Sequence, residues 1–271
     1  MPSQSKISRS SIRRSGDSSS GSGSGGGLVT LFEKDLTAQS ALDLQTGGDG
    51  NKVIGGSTFY AANVANNTSF AVVPGSGVVC SNVGAGLIQG GVRTSPLFGI
   101  RLTDINPTFS FPTIPYFYVW WMFAHNAGAL GNRLVQAGIE RKEAVFNAAT
   151  YHHWEAGVQG AAGPSQNFFA QQTINGVTAT QIEGNQNPVT SDVLMMKFFS
   201  TQQIQVYSGV SSAPATFPDK KDLVLQGDYA IGSTVLNMLS SEFSAYIGFI
   251  DAAGPSGFNV TVKAVKIQAG G

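Results

Sequence analysis

The sequence predicts an all-β chain: a two-sheet antiparallel sandwich behind a disordered, basic N-terminal arm. Three observations predict it. Glycine accounts for 34 of 271 residues while Asp, Glu, Lys and Arg together make only 12%, a composition that suits tight turns and is poor in the charged residues of long helices. Beyond residue 27, apolar residues come in short runs rich in Val, Ile, Phe and Tyr, bounded by Gly, Asn, Pro or Ser, which is the pattern of strands and turns. The first 27 residues, MPSQSKISRSSIRRSGDSSSGSGSGGG, carry almost no apolar side chains.

That opening stretch reads as an arm. A Ser/Gly run buries too little surface to offset its ordering entropy, so residues 18–27 are expected to act as a flexible linker. Lys6, Arg9, Arg13 and Arg14 stand against one acid, Asp17, giving the arm +3 and leaving −3 on the body of a neutral chain. These four cations are the candidate assembly contacts, toward acidic surface on neighbouring subunits or, weakly and without sequence specificity, toward nucleic acid.

The body, residues 28–271, reads as one domain, since no second linker interrupts it. Its strands are expected at Leu28–Phe32, Phe70–Val73, Leu97–Leu102, Phe117–Phe123, Arg133–Glu140, Val193–Phe199, Gln203–Tyr207, Tyr246–Ile250 and Phe258–Ile267. Phe117–Phe123 is apolar at every position and suits a central strand covered on both faces. Phe258–Ile267 alternates, with Val260, Val262 and Ala264 set against Thr261, Lys263 and Val265, as in a half-buried strand. Helix signals are confined to Ser233–Ser241 and, more weakly, Glu140–Ala149. About a dozen strands with Gly-rich connections fit two packed sheets.

Several classes are excluded or disfavoured. Cys80 is the lone cysteine, so no intrachain disulfide and no Cys-based metal site can form. It lies in an apolar run and is expected to be a buried small hydrophobe. No window reaches the roughly 18 apolar residues of a membrane span, and residues 1–27 show no apolar core of a secretory signal.

The succession Tyr116–Phe123, Asn132–Arg141, Tyr151–Gln159, Asp192–Tyr207 and Ala245–Ile267 resembles the concanavalin A-like lectin/glucanase jelly roll. The cue is the pair Val193–Phe199 and Gln203–Tyr207, two strands around a polar turn, followed by two closing strands. The resemblance implies two large curved sheets with the final strand beside the first, which would be Leu28–Phe32. It also implies a choice among lectins, glycosidases and noncatalytic modules, including those of virus and phage particles, and that choice depends on sites.

Glycoside hydrolysis needs two carboxylates flanking the scissile bond. The Glu-x-Asp-x-x-Glu strand of glycosidases with this resemblance is absent; Glu140 and Glu143 fall on opposite faces of an extended strand, and Glu140 with Glu155 would have to meet across neighbouring strands. Calcium wants six to eight oxygens, and only Asp49-Gly-Asn51 and Asp219–Asp222 come near a cluster; the second interleaves its own lysines and reads as a charged turn. His125, His152 and His153 are the only imidazoles. No metal or cofactor is expected. Among the aromatics Trp120, Trp121, Trp154, Tyr116, Tyr118, Tyr151 and Phe168, most are expected in the core, with Trp121, Trp154 and Tyr151 as candidate glycan-stacking residues.

The expectation is a noncatalytic structural component of a virus or phage particle, assembled in the host cytoplasm, self-associating and contacting other virion proteins through its arm. The alternative is a carbohydrate-binding module or lectin, and after that a glycoside hydrolase.

Overall fold

The computed structural model describes residues 27–40, 42–46, 50–62, 68–83, 88–89, 92–93, 96–105, 114–127, 133–141, 153–160, 166–174, 177–187, 192–199, 203–211, 213, 215–230, 243–251 and 257–270. The first strands are β1 (Val29–Asp35), β2 (Leu42–Thr46), β3 (Gly50–Ile54), β4 (Ser57–Ala62), β5 (Ser69–Val73) and β6 (Gly77–Ser81). A two-residue pair, β7 (Ile88–Gln89) and β8 (Val92–Arg93), precedes β9 (Leu97–Arg101) and the single helical turn α1 (Leu102–Ile105). The middle of the chain forms β10 (Tyr116–His125), β11 (Arg133–Arg141), β12 (His153–Gly160), β13 (Gln166–Ile174) and β14 (Val177–Asn187). It closes with β15 (Val193–Phe199), β16 (Gln203–Gly209), β17 (Val224–Ala230), β18 (Phe243–Asp251) and β19 (Val260–Gly270).

Two antiparallel sheets pack face to face. Sheet A runs β17-β16-β15-β10-β19-β6-β5-β2, with β1 also paired to β19, and sheet B runs β14-β13-β12-β11-β18-β9-β4-β3. The long last strand thus takes β10 on one side and both β1 and β6 on the other. The last strand lies beside the first, as the resemblance implies, and β15 and β16 form the expected hairpin.

The inner faces follow from parity. On sheet B, Val135, Ala137 and Ile139 of β11 and Ala245, Ile247 and Phe249 of β18 point into the sandwich. They meet Phe117, Val119, Trp121 and Phe123 of β10. Phe59 and Phe98, 5.0 Å apart, stack within sheet B and Phe117 and Phe198, 5.0 Å apart, within sheet A, while Phe70 of sheet A stacks on Phe98 of sheet B at 6.2 Å and ties the layers. Burial of such side chains, each ~1.5–3 kcal/mol, is the main stabilising term.

β10 is covered on both faces, as its sequence requires. Tyr118, Trp120 and Met122 join a second buried cluster on the outer side of sheet A, under Leu223 and the partly buried Ala215 and Phe217. The alternation of β19 is where the expectation fails. The β10 register jumps from Met122↔Ala264 to Phe123↔Val262, so a bulge inserts one residue and reverses the parity. Val260, Val262, Val265 and Ile267 therefore face the core, while Ala264 faces outward.

Leu102 opens α1 and is not the end of a strand. Glu140 and Arg141 lie in β11, not in a helix, and the remainder of that helix candidate, like 233–241, lies outside the described residues. Cys80 is fully buried on β6, and burial pushes its thiol far above the usual range.

Candidate functional site

The outer face of sheet B concentrates buried polar groups. Along β11 the residues that alternate with the core positions are Gln136, Gly138 and Glu140. Gln136 and Glu140 are both shut off from solvent. Tyr60, on β4, donates its hydroxyl to Glu140 Oε1 at 3.0 Å, although β9 and β18 lie between those strands. Gly99 makes this reach feasible, because it is the register partner of both Tyr60 and Tyr246. A Cβ at residue 99 would sit 2.5 Å from Tyr60 Oη and 2.7 Å from the Ala245 carbonyl oxygen. Tyr60, Ala62, Leu97 and Tyr246 form the apolar part of this face.

Gln136 is the unusual member. Neither its Nε2 nor its Oε1 has a hydrogen-bond partner among the described residues. An unmet buried polar group costs ~1–3 kcal/mol, so the amide is a costly placement that a further hydrogen-bond partner would relieve. At the rim of the same face, Arg101 donates to exposed Asn51 Oδ1 at 3.3 Å, so the polar character runs from the edge inward.

The outer face of sheet A is different in kind. Lys197 Nζ lies 4.1 Å from the Tyr116 ring centroid and 4.3 Å from that of Phe199. Lys266 sits 4.6 Å over Trp120, and Lys220 sits 4.6 Å over Tyr207. Each ammonium rests on an aromatic face, an arrangement worth ~0.5–2 kcal/mol. Burial lowers Lys197 and Lys266 below the ordinary lysine pKa. The Tyr118 hydroxyl is pushed up to about 12, by burial first and then by Tyr116 and Tyr207.

Of the residues singled out by sequence, Trp121 is fully buried in the core, edge-on to Phe98 at 6.4 Å. It therefore presents no face to a sugar, because its strand parity turns it inward. Trp154 lies on β12 opposite Ile139, and Phe168 on β13 opposite Val158. Tyr151, His152, Glu143 and the arm cations Lys6, Arg9, Arg13 and Arg14 lie outside the described residues. Glu155 stands opposite Gly138, and His153 opposite Glu140. The register thus brings the Glu140 and Glu155 positions to adjacent strands, two residues out of step. Asp219–Asp222 forms a charged turn, with Lys221 paired to Asp219 at 3.1 Å. No group of three His, Cys, Asp or Glu side chains is placed to hold a metal among the described residues. Sequence reasoning missed Gln136, since a Gln in an alternating strand reads as a solvated position.

No protein-family model and no curated protein matches the sequence. Solved structures with a similar course include the legume lectin-like domain from Entamoeba histolytica, 8% identical, covering 77% of this chain and 88% of that one, at a TM-score of 0.46. The CBM2 module of the evolved Dit protein of Lactobacillus casei BL23 phage J-1 is 8% identical, covering 90% of this chain and 96% of that one, at 0.43. Bacillus licheniformis β-glucanase is 11% identical, covering 91% of this chain and 99% of that one, at 0.42. These structural neighbours are lectin-like and glucanase sandwiches.

Proposed function

We propose that this chain is a noncatalytic, lectin-type sandwich that binds a glycan at the outer face of sheet B and is carried on a virus or phage particle by its arm. Gln136 carries the glycan half. Its fully buried amide offers two donors and an acceptor that meet no partner among the described residues, and a ligand dense in hydroxyls, each both donor and acceptor, would satisfy them. The neighbouring Glu140 carboxyl, held by Tyr60, adds an acceptor. Glycosidic hydrolysis asks for two carboxylates, whereas the same-face residues of β11 are one amide, one glycine and one carboxyl. The particle half rests on charge: the +3 arm and the −3 body favour contact between the arm of one subunit and the body of the next.

One observation favours a second reading. The register sets Glu155 diagonally from Glu140 across β11 and β12, the placement a carboxylate pair of a glycoside hydrolase would need. A glycan array separates the readings. The full chain is expected to be retained on a defined set of glycans without releasing reducing ends, and Gln136→Leu is expected to lose that retention while staying folded. Folded protein retained by no glycan overturns the proposal. Release of reducing ends that vanishes in Glu140→Gln and Glu155→Gln replaces it with hydrolysis.

A further inference from the structure

The interior of the sandwich changes character at one end. Parity along β10, β11 and β18 turns His125, Arg133 and Asp251 inward, each two residues beyond a core side chain, Phe123, Val135 and Phe249 respectively. Arg133 and Asp251 are register partners and pair at 3.2 Å, with Asp251 fully buried. From the other sheet, the His125 ring lies 6.2 Å from that of Phe258, and the Arg133 guanidinium lies 5.2 Å from the same ring. Both nitrogens of His125 are shut off from solvent, and neither meets a hydrogen-bond partner among the described residues. A buried imidazole without a partner costs least while it is neutral.

A clasp of hydrogen bonds holds the strand ends around it. The Asn126 N–H donates to the Asn259 carbonyl at 3.2 Å, and the Asn259 N–H donates to Asn126 Oδ1 at 2.9 Å. Asn126 Nδ2 donates to the Gly257 carbonyl at 2.9 Å. Just past β6, the N–H groups of Asn82 and Val83 donate to Asn259 Oδ1 and to the Phe258 carbonyl, each at 2.9 Å. The ends of β10, β19 and β6 are thus tied together by the residues next to His125 and Phe258. At this same end the chain crosses between the sheets twice, from β10 to β11 and from β18 to β19.

The ionisable groups around His125 are few. They are Arg133 from β11, Asp251 from β18 and the Cys80 thiol of β6, which stands across Val260 from His125 and is kept protonated by burial. Asp192, ahead of β15, accepts from the N–H and hydroxyl of Ser211. The connections 128–132 and 252–256, GALGN and AAGPS, hold no ionisable side chain. A proton on His125 would therefore enter a buried site where Asp251 already holds a guanidinium and where Arg133 adds a like charge. Only the Ala127 backbone favours it there. Once the end opens, the imidazole is solvated and takes up a proton with its ordinary affinity. We infer that His125 and the Asn126–Asn259 clasp form an acid-operated latch, which frees the ends of β10, β19 and β6 below about pH 6.5 while the rest of the sandwich stays closed. Since opening takes up one proton, its equilibrium constant rises by up to about tenfold per pH unit below that point.

Amide hydrogen exchange of the full chain by NMR, read as protection factors at pH 7 and pH 5 with and without low urea, tests the latch. Protection at Val83, Asn126 and Asn259 is expected to fall tenfold or more at the lower pH, through an opening that urea does not promote. Met196 and Val206, paired in the β15–β16 hairpin, are expected to remain at least tenfold better protected and to exchange only through the urea-sensitive global unfolding. In His125→Phe, an apolar ring in an apolar setting, protection at the three clasp amides is expected to change less than twofold between the two pH values. Clasp amides that exchange in step with the hairpin, or that respond to pH equally in His125→Phe, overturn the latch. Titration of the His125 ring in the parent chain tests it without any substitution: a midpoint below 6.5 is expected, and one at or above 6.5 overturns it.

Discussion

At residue 136, an amide sits where the strand pattern leads one to expect water. Alternation identifies which positions of β11 leave the core, yet it cannot say whether the opposite face is solvated, because that depends on what lies across it. The same limit explains Trp121. Two adjacent tryptophans must face opposite sides, but only the register of β10 against β15 and β19 fixes that residue 121 is the inner one. Trp121→Ala is accordingly expected to cost ~3–5 kcal/mol in chemical denaturation, as for a large core side chain; a loss below about 1 kcal/mol would place the ring outside the core. His125 supplies a pH-dependent outcome. Burial lowers its pKa from the ordinary 6.5, and the charge of Arg133 adds to the shift. The unfolded chain therefore takes up the proton first, and stability, constant above 6.5, falls as the pH drops below it toward the folded-state value. The loss of denaturation midpoint between pH 7 and pH 5 is expected to be smaller in His125→Gln than in the parent. Equal losses would show that His125 does not contribute to acid sensitivity.

Among the elements, the strands with dense apolar content were legible and the polar ones were not. β9, β10, β11, β15, β16 and β18 all fall within a few residues of their expected bounds. β13 and β14, with QNFFAQQTI and VTATQIEGNQN, show no such run, because an outer strand rich in Gln, Thr and Asn is held by its ladder of hydrogen bonds to a neighbour already in place. The bulge in β19 was equally invisible, since nothing in an alternating run marks where one extra residue is inserted. Its consequence is chemical: it sends Lys266 outward onto Trp120. Turn geometry is more local. Gly77 opens β6 at φ +122°, and a Cβ there would run into the Val262 carbonyl. Gly77→Ala combines a disfavoured backbone conformation with a backbone clash, so it is expected to destabilise by at least 2 kcal/mol. A melting temperature within one degree of the parent would contradict the β5–β6 turn and the pairing of β6 with β19.

For the molecule as a whole, composition made the all-β class legible, and strand rhythm made the sandwich legible. The long-range pairings of sheet A were beyond reach, since they join residues as far apart as Thr30 and Gln268. No strand is expected before residue 28, so deleting residues 1–27 removes little apolar burial. The deletion variant is expected to melt within a few degrees of the full chain, where 1 kcal/mol corresponds to ~2–4 °C, and, on the proposed particle role, to be impaired in assembly. A fall of tens of degrees would make the arm part of the domain. The central claim, a glycan bound at an amide that meets no partner among the described residues, is tested most directly by calorimetric titration of the parent and Gln136→Leu with a glycan retained on the array. Because the substitution replaces an unmet buried amide with an apolar group of similar size, the variant is expected to match or exceed the parent's stability while its affinity falls at least tenfold, ~1.4 kcal/mol. Equal affinities in the two folded proteins would contradict the account.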